Sequence, residues 1–189
     1  MKQRPIIFNT EMVRAILDGR KTQTRRPFKT IEHGIFNGVR KKGSKDEFWV
    51  WPNAKSQIIN ECSLGNVGDR LWVRETMTME KWPDLHYVCG GLSVGTGDED
   101  FSYRTEDYRG FIPSIHMPKW ASRILLEVTD IRVEQMNSLR KNKADVLAEG
   151  FENFPQFKHV WQSIYGECKP DEWVWVIEFK VLSTTDGAA

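Results

Sequence analysis

A chain of 189 residues that is 40% hydrophobic can fill one domain carrying large loops. Its formal net charge of +1 excludes a polycation that binds anions over its whole surface, and no apolar run approaches the length of a membrane span. Nothing at the N-terminus resembles a secretory apolar segment, and Cys62, Cys89 and Cys168 cannot all pair within one chain, so the expected setting is the reducing cytoplasm.

In chain order, Pro5, Ile6, Ile7 and Phe8 read as a short strand, and Asn9 or Thr10 caps a helix with Met12, Val13, Ile16 and Leu17 on one face. Gly19 ends that helix and opens the octet Gly19-Arg20-Lys21-Thr22-Gln23-Thr24-Arg25-Arg26, which Pro27 closes, so the octet reads as a turn between two breakers. It starts the most basic part of the chain: residues 20–45 hold nine Lys or Arg against the single acid Glu32, a patch suited to an anion. Within the octet, Thr24 offers a hydroxyl, Lys21 a base or an anion-binding ammonium, and Arg20, Arg25 and Arg26 planar forks for phosphate or carbonyl groups. Geometry decides between these roles. On a strand Lys21 and Thr24 point to opposite faces, whereas on a helix-like turn they converge. The alternative is a solvated basic turn with no ligand.

Residues 29–47 read as a basic loop, and 48–51 as a strand with Trp49 and Trp51 on one face. Residues 65–69 form a turn, after which 70–75 alternates as a half-buried strand does; Arg74 and Glu75 at its end either enter a pocket or form an exposed ion pair. Residues 76–115, rich in glycine and carrying the acids Asp98, Glu99, Asp100, Glu106 and Asp107, give no regular pattern, and a loop of such length is a candidate lid over the basic turn. Residues 123–133 follow as a long strand.

Asn142 caps a short helix through Val146 and Leu147 that breaks at Gly150. This puts Glu149 at a helix C-terminus, where a carboxylate opposes the dipole and calls for a cation, Lys21 or an octet arginine. A second helix starts near Pro155, carries Phe157, Val160, Trp161 and Ile164 on its apolar side, and ends at Gly166; a last strand, 173–182, buries Trp173, Trp175, Ile177 and Phe179 on one side. The elements add up to an α+β fold. Cys62, Cys89 and His116 are widely spaced and lack a Cys-x-x-Cys knuckle, so neither a metal nor another cofactor is expected.

The octet resembles the Gly-x-Lys-x-x-Thr-x-Arg signature of the ASCH domain, a branch of the PUA-like superfamily, with Gly19, Lys21, Thr24 and Arg26 in the four signature places. Gly68-Asp69-Arg70-Leu71-Trp72-Val73, Ala148-Glu149-Gly150-Phe151 and the closing Trp173-Val174-Trp175-Val176-Ile177-Glu178-Phe179 resemble later landmarks of the family in the same order, and Met12-Val13-Arg14-Ala15-Ile16-Leu17 and Pro118-Lys119-Trp120-Ala121-Ser122-Arg123 are similar to ASCH-like proteins of bacteriophages and prophages. The resemblance covers 5–26, 67–76 and 119–182 and leaves 27–66 and 77–118 as two large insertions in a single domain spanning 1–189.

The resemblance implies a PUA-like small mixed β-barrel with flanking helices and a ligand cleft. Its first functional implication is recognition of RNA or of a modified nucleobase or nucleoside, with Gly19, Arg25, Arg26, Arg74, Glu75, His116 and Trp120 as binding residues. Its second comes from small ASCH proteins that hydrolyse acetylated cytidine: an amidohydrolase with Thr24 as nucleophile, Lys21 as base and Glu149 orienting Lys21 or a water. A phage protein that binds a host or virion protein through its insertions is a third reading.

Overall fold

The structure, a computed structural model, describes residues 1–27, 62–81, 84–96 and 110–184. Its elements in order are β1 (Gln3–Ile7), α1 (Thr10–Leu17), β2 (Gln23–Pro27), β3 (Arg70–Arg74), β4 (Met77–Lys81), β5 (Asp84–Tyr87), β6 (Ser93–Thr96), β7 (Gly110–Ile112), two short 3-10 turns (Ser114–His116 and Lys119–Ala121), β8 (Ile124–Gln135), α2 (Met136–Lys141), α3 (Lys143–Ala148), α4 (Phe154–Tyr165) and β9 (Trp173–Thr184). They build two sheets with helices packed against the larger one, an α+β arrangement.

The larger sheet runs β1-β3-β8-β9-β2, with β1 and β3 parallel and the other neighbours antiparallel. Its edge strands β1 and β2 are joined in sequence by α1 but do not pair with each other, so the described strands do not close into a barrel. Helix α1 forms where expected: Asn9 Oδ1 accepts from Met12 N at 2.8 Å, Val13, Ala15 and Ile16 are buried, and Gly19 reverses the chain at φ +72°. The second half of the octet is not a turn. It is the edge strand β2, and Pro27 is tolerated at its end because an edge strand has a side that needs no ladder hydrogen bond.

Strand β9 is buried on both faces over its first half. Trp175, Ile177 and Phe179 join Ile6, Phe8, Val13 and Leu126 in one core, while Val174 and Val176 pack with Met136, Leu139, Phe157 and Trp161 in another. This is the physical reason the run 173–179 has almost no polar member: helices cover the face that the sequence pattern assigned to nothing. Trp173 is only half-buried. Strand β3 shows the same departure, since Leu71, Trp72 and Val73 are all buried and its pattern is not the expected alternation.

The smaller sheet, β6-β5-β4-β7, occupies part of the segment that gave no regular pattern. Its strands are three to five residues long, too short for a period of two to show. Met77, Leu85, Tyr87, Ile112, Met117 and Ala121 form its own apolar cluster. The basic loop, the Trp49–Trp51 strand, the acidic cluster and the end of the chain lie outside the described residues. No helix among the described residues is long and apolar enough to cross a membrane.

Candidate functional site

The site forms where the C-terminus of α3 docks on the octet. Thr22 N donates to Ala148 O at 2.9 Å and Phe179 N to Thr22 O at 2.9 Å, fixing the octet between a helix end and β9. Gly150, at φ +88°, closes this contact: a Cβ there would lie 2.8 Å from Ala15 Cβ and 3.2 Å from Lys21 Cβ. Glu149, the C-cap of α3, is thereby turned inward and is 1% exposed.

Its carboxylate takes two cations. Lys21 Nζ lies 3.2 Å from Glu149 Oε2 and Arg25 Nη1 2.9 Å from Glu149 Oε1, with all three side chains essentially out of solvent. Lys21 Nζ also donates to the carbonyls of Gln23 and Glu149, each at 2.8 Å, so its three N–H donors all have acceptors. Burial pushes the Lys21 ammonium below its ordinary 10.5; Glu149 opposes that shift, and Arg26 and Arg25 add to it. Arg25 spans further, with Nη2 at 3.0 Å from Glu134 and 3.3 Å from Asp145. Gln23 Nε2 donates to Asp145 O at 3.0 Å, and Gln23 Oε1 accepts from Arg132, which also pairs with Asp130, Glu134 and Glu178. Burial alone would raise the Glu134 carboxyl, but the Ser138 hydroxyl, Arg132 and Arg25 outweigh it and hold the group below its ordinary value.

The other face of β2 carries Thr24 and Arg26, as strand alternation requires. Arg26 Nη1 donates to Tyr165 Oη at 2.6 Å and Nη2 to Ile7 O at 2.7 Å, and the guanidinium stacks over Phe8. Thr24, Arg25, Arg26, Glu149, Trp161 and Tyr165 help to line a narrow cleft of about 10 Å³, room for about one water molecule. Met12, Glu149, Phe151 and Val160 are shared with an open groove of about 580 Å³ whose further walls include Arg14, Arg20, Gln156 and His159.

Neither a protein-family model nor a curated protein matches the chain. Among solved structures it is similar to protein EF3133 from Enterococcus faecalis V583, described as family-model DUF984, with a TM-score of 0.44 and 10% sequence identity over 100% of this chain and 85% of that one. A likeness at that level carries neither family nor activity to this chain.

Of the residues singled out from the sequence, Lys21, Thr24, Arg25, Arg26 and Glu149 come together, and Gly19 supplies the turn beside them. Lys21 and Arg25 meet on Glu149, whereas no hydrogen bond joins Lys21 to Thr24 among the described residues. The others do not enter this site. Arg74 stacks over Trp72 at 4.7 Å. Glu75 does not form an exposed pair: it is 1% exposed and held by Arg123 through two hydrogen bonds of 2.9 Å. His116 and Trp120 sit on the two 3-10 turns and line neither cleft nor groove; Trp120 is 44% exposed. No described residue of 77–118 lines them either, so no lid is seen over the site among the described residues.

Sequence reasoning missed Gln23, Glu134, Asp145, Arg132, Trp161 and Tyr165 as parts of the site. Two of them carried a signal. Asp145 stands one helical turn before Glu149, and Tyr165 one turn after Trp161, so each pair shares a helix face.

Proposed function

We propose that the chain recognises RNA or a nucleobase, modified or not, with the base seated in the groove beside the octet of residues 19–26. The observation that carries this reading is the groove itself: about 580 Å³ is within the range of small-molecule sites, and it shares Met12, Glu149, Phe151 and Val160 with the cleft that Thr24, Arg25 and Arg26 line. The linkage of the edge strands β1 and β2 by α1 supports a PUA-like reading of the larger sheet. Buried, unpaired Cys62 and Cys89 support a cytoplasmic setting.

Hydrolysis of an acyl-cytidine is the second reading, favoured by the depressed Lys21 pKa and by Thr24 in the cleft. It asks more of the geometry. A general base needs a lone pair on the Thr24 hydroxyl, and Lys21 Nζ directs its hydrogen bonds to Gln23 and Glu149 instead.

The test is a thermal-shift and product screen against modified nucleosides and short RNAs. A ligand at about 100 times its Kd adds about 2.7 kcal/mol of stability, and no shift with any nucleoside or RNA would end the recognition reading. The double variant Arg14→Glu/Arg20→Glu, on the groove wall, is expected to weaken RNA at least ten-fold and free nucleosides much less. If acyl-cytidine is hydrolysed, Thr24→Ser keeps part of the turnover and Thr24→Val none; turnover surviving in Thr24→Val removes Thr24 as nucleophile.

A further inference from the structure

In strands β1 and β3 the side chains that enter the core are those of Ile6, Leu71 and Val73. Alternation sends Arg70, Trp72 and Arg74 to the opposite face of the sheet, beside their parallel partners Gln3, Pro5 and Ile7, which are all exposed. Arg74 covers Trp72, its guanidinium carbon 4.7 Å from the ring centroid. Neither Arg70 nor Arg74 makes a side-chain hydrogen bond or an ion pair among the described residues. The acids of this face are already taken. Glu127, directly across from Arg70, pairs with Lys180 at 2.8 Å, and Asp130 and Glu178 pair with Arg132. Two guanidinium groups without a carboxylate thus share one strand face, their Cα atoms about 13 Å apart at the usual rise of a strand. The strip also approaches the site already described: the carbonyl of Ile7, register partner of Arg74, accepts from Nη2 of the cleft residue Arg26 at 2.7 Å.

We propose that this face of the larger sheet is a second contact surface for single-stranded RNA, on which Arg74 and then Arg70 hold backbone phosphates of the strand whose base sits in the groove. This rests on the RNA reading of the groove and adds where the rest of the strand runs. The partner follows from the chemistry of the strip. A guanidinium presents a planar fork that matches two phosphate oxygens, and two forks rooted so far apart suit separate phosphates of a chain better than one small anion. A base seated in a groove is unpaired, which makes the strand single. Contacts to phosphate carry no base preference, so Arg70 and Arg74 add affinity and salt dependence while the groove does the selecting.

The experiment is fluorescence anisotropy of a labelled single-stranded RNA of random sequence against the full chain over a range of salt, in the wild type and in Arg70→Gln/Arg74→Gln. The double variant is expected to bind RNA at least ten-fold more weakly, with the slope of log affinity against log salt flattened by about 0.7 for each arginine, while the thermal shift given by free nucleosides stays as in the wild type. Unchanged affinity and slope overturn this inference and leave RNA recognition by the groove standing. Displacement of the RNA by polyglutamate at equal charge assigns the face to an acidic protein segment and likewise overturns it. Binding of nucleosides but no RNA overturns the second surface alone, and binding of neither overturns base recognition as well. If the double variant fails to fold, phenylglyoxal labelling of the wild type decides. RNA should shield Arg70 and Arg74 from modification, and equal labelling with and without RNA overturns the proposal.

Discussion

Glu149 serves two buried cations, whereas Lys21 serves one carboxylate that also keeps Arg25. Removing one member of a buried pair costs about 3–5 kcal/mol, because the other is left as an uncompensated charge. Glu149→Gln, which strips both Lys21 and Arg25 of that charge, should therefore destabilise more than Lys21→Met. Urea unfolding at neutral pH checks the order, and the reverse order would mean that Arg25 does not compensate Glu149. The two titrations have opposite pH ranges. Lys21 is held below 10.5 in the folded state by burial, so between its folded value and 10.5 the unfolded chain binds the extra proton. Stability relative to Lys21→Met should thus rise with pH on approaching 10.5. Glu134 is held below 4.5, so its stabilisation is present above 4.5 and is lost as pH falls through the folded value. Glu134→Gln should flatten the acid limb of the stability curve, and an unchanged limb would count against its ion pairs.

At the scale of elements, the turn from α3 to α4 depends on having no side chain at Gly150. Alanine there meets both a positive φ of +88° and a Cβ of Ala15 at 2.8 Å, whereas Gly19, at φ +72°, has nothing within 4 Å of a built Cβ. Gly19→Ala should cost only the backbone term, about 1–2 kcal/mol, and Gly150→Ala clearly more. Thermal unfolding of the two variants gives the comparison; equal losses would show that α3 can move away from α1. Helix boundaries were legible where a local chemical mark stands: Asn9 and Asn142 cap α1 and α3, Pro155 stands in the first turn of α4, and glycines follow α1, α3 and α4. Helix α2 has no side-chain cap hydrogen bond, so nothing local marks its start.

Across the whole molecule, the two sheets are tied by Arg123, just before β8. It binds Glu75, between β3 and β4, donates to Cys89 O at 2.7 Å, and stacks over Tyr87 at 4.2 Å. Arg123→Met should lower stability by about 3–5 kcal/mol by leaving the Glu75 carboxylate buried and unpaired, and Glu75→Leu added to it should recover part of the loss. Calorimetry of the single and double variants decides, and additive losses would contradict the pairing. The basic loop belongs to this scale too. If Arg40, Lys41, Lys42 and Lys45 meet phosphates of a single strand, changing all four to Gln should flatten the slope of log affinity against log salt by about 0.7 for every phosphate no longer neutralised. An unchanged slope would remove the loop from the RNA surface.

The sequence by itself determined what local chemistry dictates. The α+β composition follows from where alternation gives way to helical spacing, and a carboxylate at the end of α3 required a cation, which Lys21 and Arg25 supply. Which face of the chain each octet residue takes was decided only by pairing. Once residues 23–27 lie along β9, Arg25 goes inward to Glu134, Asp145 and Glu149, and Thr24 and Arg26 line the cleft with Trp161 and Tyr165. The fate of Glu75, claimed by an arginine 48 positions away, was settled in the same way. Such contacts join elements far apart in the chain, and no short-range period or cap encodes them.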